Sequence, residues 1–186
     1  RIRALAPPSR ERDRSVALAD PRSRRCGRAL DGAAVLHLRR AKGREADKAL
    51  PVIVADVAQA RSIAASWPAS AQRLAEVFWP GPLTLVVPAG PNIPLELLAG
   101  ASSVAMRAPA SRLARTLARA AGPLVSTSAN IAGEPPCATV DSAAAAFPLA
   151  TLAFDVGPLA GEPSTIVDVC DPGGEVRVVR SGRVSV

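Results

Sequence analysis

Two polar segments of the sequence could bind phosphate groups. The first is Lys42-Gly43-Arg44, with Lys48 close behind, and two or three cations around a glycine can grip a polyphosphate. The second is Ser126-Thr127-Ser128-Ala129-Asn130, which directly follows an apolar run. Hydroxyl and amide groups at the end of a strand lie where open α/β sheets usually bind ligands. Each segment also has a simpler interpretation, a solvated basic turn for the first and a polar capping turn for the second.

Two further segments have residue types that are unusual for a purely structural role. Trp79-Pro80-Gly81-Pro82-Leu83-Thr84 contains two prolines and a glycine, which predicts a rigid turn between a helix and a strand. Pro163-Ser164-Thr165 and Arg180 fall at the borders of the last two predicted strands. Neither is diagnostic alone, and a structural role is the default interpretation of the proline turn.

The scarcity of cysteine, histidine and aromatic residues excludes several classes of site. Cys26, Cys137 and Cys170 are odd in number and far apart, which argues against a disulfide framework or a zinc knuckle and favours a reducing compartment. His37 is the single histidine, so we predict no metal site and interpret it as a helix-surface residue. The absence of tyrosine makes base-stacking RNA-binding modules improbable.

The basic character of the chain belongs to its first 40 residues. These contain 11 of the 23 lysines and arginines and 4 of the 16 acidic residues, whereas residues 41–186 contain 12 of each sign. A nucleic-acid function therefore cannot rest on the net charge of +7. The sequence contains no apolar run of about 18 residues, the length that would predict a membrane span. We therefore expect a cytoplasmic protein with no membrane partner.

Strand and helix patterns alternate after the basic region, which predicts an α/β sheet covered by helices. Residues 1–30 show neither strand nor helix periodicity and predict a disordered or solvated arm, so we place the folded domain at residues 31–186. Asp56 and Ser111 are predicted helix caps, and Gly122 suits a helix end. Inward-facing positions are predicted at Leu74, Val77 and Phe78 of one helix and at Leu113, Ala114, Leu117, Ala118 and Ala121 of another. Strands are predicted at 51–55, 83–87, 103–107, 123–127, 151–154, 164–169 and 175–179, and helices at 31–41, 57–64, 70–78, 112–121 and 141–147.

Six segments taken together resemble the YrdC-type family of threonylcarbamoyl-adenylate synthases. They occur in the order of the family, from about Ala33 to the end of the chain. The proline turn and the Ser-Thr-Ser-Ala-Asn block are the most specific in combination. The matching segments span 42–44, 78–84, 104–109, 126–133, 163–168 and 178–182.

The resemblance implies a fold and a reaction. The fold is an α/β twisted mixed sheet with helices around a large concave ligand cavity. The reaction joins L-threonine, bicarbonate and ATP into threonylcarbamoyl-AMP and pyrophosphate, with Mg²⁺ carried by the ATP phosphates. The implied partners are a separate threonylcarbamoyl transferase complex downstream and, as a further candidate, tRNA or double-stranded RNA.

The resemblance also assigns roles to individual residues. Lys42 and Arg44 would neutralise the ATP phosphates, and Ser128 and Asn130 would bond phosphate or ribose oxygens, so these four are the candidate catalytic residues. Arg107 would bind the carboxylate of threonine. The remaining implied residues are Ser103, Pro136 and Arg180 for ATP, and Lys48, Thr127 and Ser164 for threonine.

One family segment is missing from this chain. The family normally carries Pro-Thr-Asp/Glu-Thr-x-Tyr-Gly-Leu near the N-terminus, and the nearest echo here is Ser15 to Asp20. We hypothesise that residues 1 to about 30 are a reading-frame error or a divergent replacement. Two alternatives to the synthase stay open, a non-catalytic RNA- or nucleotide-binding module of the same fold and a carbamoyl-handling domain of the hydrogenase-maturation type.

Overall fold

Ten strands form one mixed sheet in the part of the chain that the structure describes. This computed structural model describes residues 2–4, 16–19, 24–42, 49–128, 137, 139–146, 152–155 and 162–186. The strands lie in the spatial order β1-β8-β2-β3-β7-β4-β6-β5-β9-β10. They are β1 (Ile2–Ala4), β2 (Val16–Ala19), β3 (Arg24–Arg28), β4 (Val52–Ile53), β5 (Leu83–Pro88), β6 (Ser103–Arg107), β7 (Leu124–Ser128), β8 (Leu152–Asp155), β9 (Thr165–Asp168) and β10 (Arg177–Arg180).

Both parallel and antiparallel pairs occur in the sheet. Parallel pairs join β2 to β8, β4 to β6 and β5 to β9, and the other neighbours run antiparallel. The mixed sheet expected from the sequence is confirmed. The helices are α1 (Gly32–Lys42), α2 (Val57–Ile63), α3 (Ala69–Phe78), α4 (Leu95–Leu98), α5 (Arg112–Ala121) and α6 (Val140–Ala146).

The two faces of the central strands pack into two separate apolar clusters. The main core contains Val104 and Met106 of β6, together with buried residues of α1, α2, α3 and α4. The smaller cluster contains Ile53 of β4 and Leu124 of β7, packed against α5. Alternate residues of a strand point to opposite faces. The helices thus cover one face more completely than the other.

Both predicted N-caps are confirmed. The Asp56 carboxylate accepts a hydrogen bond from the Gln59 N–H at 3.0 Å at the start of α2. The Ser111 hydroxyl accepts from the Ala114 N–H at 3.3 Å at the start of α5. The helix ends at Gly122, whose φ of 88° favours glycine.

Two predicted inward positions are wrong. Val77 is 73% exposed although Leu74 and Phe78 pack against the main core. The buried stripe of α3 instead follows its small residues Ala71 and Ala75, which lets the helix lie close to the sheet. Ala121 is exposed because it is the last residue of α5.

The N-terminal region contributes three strands to the sheet where the sequence predicts an arm without regular structure. β3 pairs with β7, and β2 pairs with β8. Disorder is therefore a wrong prediction for these strands, because strand formation depends on pairing partners that composition does not reveal. The division of the chain at residue 30 and the reading-frame hypothesis stay predictions.

Candidate functional site

Polar side chains collect on the face of the central strands that is turned away from the main core. In β6, Val104 and Met106 belong to the main core, so the alternating residues Ser103 and Arg107 lie on the other face. We call this side the polar face. It carries Thr84, Ser103, Arg107, Ser126 and Ser164.

Ser164 is the centre of a small hydrogen-bonded cluster on the polar face. Its Oγ lies 2.9 Å from Oγ1 of Thr84, and the two residues are 9% and 5% exposed. The Arg180 guanidinium donates through Nη2 to the Ser164 carbonyl oxygen at 2.7 Å and to its Oγ at 3.3 Å. The cluster fixes one guanidinium nitrogen at the border of β9 and β10. Two segments that the sequence analysis singled out separately, 163–165 and Arg180, are thus in contact.

A glycine allows the chain after β10 to return across the start of β9. A Cβ atom at Gly182 would overlap the Pro163 carbonyl oxygen and lie 2.7 Å from the backbone of both Ser164 and Thr165. The neighbouring Arg183 N–H donates to that same Pro163 oxygen at 3.0 Å. The segment that follows Arg180 therefore lies directly against the start of β9.

Arg107 lies at the same end of the sheet as the Ser164 cluster. Met106 is the register partner of Leu85, so Arg107, one residue further, lies across from Thr84. The proline turn positions this end of β5, since the Trp79 Nε1–H donates to the Leu83 carbonyl at 2.8 Å. The Gly81 N–H donates to the Ala108 carbonyl at 2.9 Å, which ties the turn to the end of β6.

Ser103 lies at the opposite end of β6, where its side chain is within hydrogen-bonding reach of the Cys170 thiol. Burial raises the pKa of Asp168, but hydrogen bonds from the Cys170 N–H at 2.9 Å and the Arg177 guanidinium at 2.9 Å outweigh it and keep the pKa below its usual value. Burial, and secondarily the nearby Asp168, raises the pKa of the Cys170 thiol to about 12. Cys170 is therefore protonated at neutral pH and is unsuited to act as a nucleophile.

Thr127 is not brought together with the polar face. It alternates with Ser126 and lies on the side of Val125, a main-core residue. It is 4% exposed. Ser128 is the last residue of β7 and is the register partner of Arg24 in β3.

Several predicted site residues cannot be placed. Lys42 is the last residue of α1, and its side chain is outside the described part of the chain. Arg44, Lys48, Asn130 and Pro136 lie outside the described residues.

Two residues at this end of the sheet, Thr84 and Gly182, were not predicted as site residues from the sequence. Thr84 belongs to the proline turn, and the prolines and the glycine explain that turn as a structural element without any role for Thr84. A signal was present, because Thr84 is a polar residue inside the apolar run 83–87. Gly182 closes the segment around Arg180, and its role follows only from the backbone approach.

No group of three or more His, Cys, Asp and Glu side chains among the described residues could hold a metal ion. His37 lies in α1 and is partly buried. None of the described helices is long and apolar enough to cross a bilayer.

Comparison with known proteins gives consistent matches. The family model for Sua5, YciO and YrdC proteins, described as telomere recombination, matches residues 26–182. A putative threonylcarbamoyl-AMP synthase of Mycobacterium leprae is 36% identical over 160 residues, covering 85% of this chain and 72% of that protein. A threonylcarbamoyl-AMP synthase of Pyrococcus abyssi is 42% identical over 108 residues, covering 58% of this chain.

The fold agrees with a solved structure of that group. Pyrococcus abyssi Sua5, crystallised with L-threonine, superposes with a TM-score of 0.83 at 32% identity over 90% of this chain. The chain spans 32% of the Pyrococcus abyssi synthase and half of the superposed Sua5 chain.

Proposed function

Because the chain belongs to the Sua5, YciO and YrdC family, we propose that it is a threonylcarbamoyl-AMP synthase. The neutral amine of L-threonine forms a C–N bond with the carbon of bicarbonate, whose C–OH bond breaks, and the hydroxyl leaves as water with a proton from the amine. An oxygen of the resulting carbamate then attacks the α-phosphorus of ATP. The bond from the α-phosphorus to the bridging oxygen breaks, and pyrophosphate leaves with that oxygen. The observation that carries this proposal is the Thr84–Ser164–Arg180 cluster beside Arg107. It combines cations and hydroxyls on one face of the sheet in a member of this family.

Positioning and neutralisation of charge supply the catalysis in this proposal. Transfer of an adenylyl group needs the two anionic reactants to be held in line and their charge balanced, with no covalent intermediate on the protein. Arg107 is suited to the carboxylate of threonine, and Ser164 and Lys48 to its remaining polar groups. The remaining residue of the threonine set is Thr127. It lies on the main-core side of β7 and is better explained as a buried structural residue.

The ATP side of the site is assigned on the same basis. Lys42 and Arg44 neutralise the phosphates, and Ser128 and Asn130 bond phosphate or ribose oxygens. Arg180 has its guanidinium fixed on Ser164, which makes it ready to bind an anion without first losing side-chain freedom. Ser103 and Pro136 complete the proposed nucleotide set.

The proposal includes the metal, the compartment and the partners. Mg²⁺ binds the phosphates of ATP and enters as part of the substrate, since the described residues offer no cluster of three or more ligating side chains for it. The product is an unstable mixed anhydride, so a transferase complex must receive it promptly to modify tRNA. We place this chemistry in the cytoplasm.

The decisive experiment measures pyrophosphate release from ATP, with and without L-threonine and bicarbonate. Synthase activity requires release that depends on both. Arg180→Ala should reduce it at least about tenfold, because a hydrogen bond to a charged group is worth about 1.5–3 kcal/mol. The matched control is Arg183→Ala, which removes the same charge from an exposed side chain three residues away.

Two results would contradict parts of this proposal, one the role of the cluster and the other the synthase activity. Equal losses in Arg180→Ala and Arg183→Ala would show that the cluster has no specific role. Binding of ATP without any pyrophosphate release would favour the non-catalytic nucleotide-binding module. The non-catalytic module stays a second candidate because the Thr-x-Tyr-Gly-Leu segment of the family is missing from this chain.

A further inference from the structure

A buried arginine binds the last turn of α1 to α4. Arg39 is 7% exposed, and its Nε–H donates to the Glu96 carbonyl oxygen at 2.7 Å. An arginine side chain is rarely buried unless its charge has polar partners. The neighbouring Leu38 is buried in the main core, so both apolar packing and a hydrogen bond hold this turn of the helix.

The same short helix also holds the chain where it approaches β4. The N–H of the buried Leu50 donates to the Leu97 carbonyl oxygen at 3.1 Å. Carbonyl groups at the end of a helix have no partner within the helix. Two successive carbonyl groups of α4, those of Glu96 and Leu97, are therefore satisfied by α1 and by the segment before β4.

Contacts with the main core make α4 a firm support for these two bonds. Leu97 and Leu98 are both buried there. The first and last carbonyl groups of the helix are bonded as well, that of Leu95 to the Ala99 N–H at 3.1 Å and that of Leu98 to the Ala101 N–H at 3.0 Å. Every carbonyl group of α4 thus has a partner, and a shift of this helix would break bonds to other segments.

Two lysines assigned to the proposed synthase site are close in sequence to these bonds. Lys42 is the last residue of α1 and follows Arg39 by about one helical turn. Lys48 precedes Leu50 by two residues. Helix ends open easily when nothing holds them. A small misplacement of a group that must meet its ligand in a fixed geometry is costly, so a bond one turn before Lys42 affects how well that lysine can act.

We propose that Arg39 is a positioning residue for ATP binding. Its hydrogen bond to α4 fixes the last turn of α1, and with it the position from which Lys42 reaches the phosphates. The Nε–H of Arg39 is already committed to the Glu96 carbonyl, so its effect on ATP passes through Lys42. This inference rests on the proposed function, which assigns Lys42 to the phosphates.

The test is isothermal titration calorimetry of the full chain with MgATP. L-Threonine and bicarbonate are omitted, so that binding is measured without turnover. Arg39→Met removes the hydrogen-bond donor and keeps an unbranched side chain that suits a helix. We expect the dissociation constant to rise about tenfold, the effect of losing one hydrogen bond to a charged group. A purely structural role would lower the number of binding sites per chain and leave the dissociation constant unchanged.

Three further variants separate the hydrogen bond from the charge. Arg39→Gln places an amide N–H where the arginine has its Nε–H, without the charge, and should bind ATP as the unmodified protein does. Arg40→Met removes the adjacent, exposed arginine and should leave the affinity unchanged. Lys42→Met should weaken binding, and the double variant Arg39→Met with Lys42→Met should be no weaker than Lys42→Met alone, because the two residues act as a unit.

Each outcome has a distinct meaning. Equal affinities of the unmodified protein and Arg39→Met would overturn the inference and leave the proposed function intact. Additive losses in the double variant, or an Arg39→Gln variant as weak as Arg39→Met, would also overturn it. Absence of ATP binding by the unmodified protein would overturn it together with the assignment of Lys42, whereas binding without pyrophosphate release would contradict only the synthase.

Hydrogen exchange of the unmodified protein tests the bond to α4 even if Arg39→Met does not fold. The amides of residues 40–42 should exchange at least about a hundredfold more slowly than those of an unfolded peptide, because the helix end is held. Exchange at the rate of the unfolded peptide would overturn the inference.

Discussion

The hydrogen bond between Thr84 and Ser164 should appear as an energetic coupling between two residues 80 positions apart. Both side chains are at least nine-tenths buried. Thr84→Val keeps the shape of the side chain but leaves the Ser164 hydroxyl without one partner. Ser164→Ala leaves the Thr84 hydroxyl without its partner and also removes the 3.3 Å contact from Arg180. A buried polar group without its partner costs about 1–3 kcal/mol.

The double variant removes both hydroxyls at once, so the cost of an unpaired group is not incurred twice. We expect its loss of stability to be smaller than the sum of the two single losses by about 1 kcal/mol. Each kcal/mol corresponds to roughly 2–4 °C in Tm for a chain of this size. Urea unfolding of the four proteins gives the free energies, and unchanged m-values confirm that the comparison is valid.

The control pairs Thr84→Val with Ser62→Ala, whose exposed hydroxyl bonds only the Gln59 carbonyl in its own helix. These two changes should add. If Thr84→Val and Ser164→Ala also add to within about 0.5 kcal/mol, the two hydroxyls are not coupled and the cluster has been misassigned.

Three further predictions follow from single residues. Gly182→Ala should destabilise the protein by about 1–3 kcal/mol in urea unfolding, because the new Cβ meets backbone atoms that cannot move away. Gly32→Ala should not destabilise it, because there the new Cβ meets the flexible end of the Glu96 side chain. The pKa of Asp56 is lowered from 3.8, chiefly by the Gln59 N–H and also by Arg119, so the ionised carboxylate stabilises the folded state above pH 3.8 and this stabilisation is lost as the pH falls through the folded-state pKa. Asp56→Asn should therefore lose Tm less steeply on acidification than the unmodified protein, and an equal slope would contradict the lowered pKa. Iodoacetamide should alkylate Cys170 at about pH 8 at less than a tenth of the rate of free cysteine, measured by mass spectrometry of its peptide, and a rate equal to that of free cysteine would disprove the raised pKa.

Local features of the fold could be predicted from the sequence because they depend on neighbours in the chain. The caps at Asp56 and Ser111 each need only a side chain and an N–H three residues later. The strand 103–107 was predicted with the bounds that the structure shows, since its apolar residues alternate with others. Patterning failed at Val77, because which stripe of a helix is buried depends on how closely the helix approaches the sheet.

Features that join distant segments could not be predicted. Nothing near Thr84 in the sequence indicates Ser164, because the contact arises from the parallel register of β5 and β9. The pairing of β3 with β7 likewise has no signal in the arginine-rich composition of that region. The site residues were proposed from a resemblance, and the structure contributes the contacts of those that it describes.

The order of synthesis has a consequence for the Ser164 cluster. β5 leaves the ribosome about 80 residues before its partner β9, and β10 follows β9. One edge of β5 therefore stays exposed until β9 has been synthesised, and strand edges of this kind invite pairing with other chains. A message truncated before residue 177 would yield a chain with most of the main core but without Arg180 or the Gly182 return. Such a chain would lack the hydrogen bonds that Arg180 makes to Ser164.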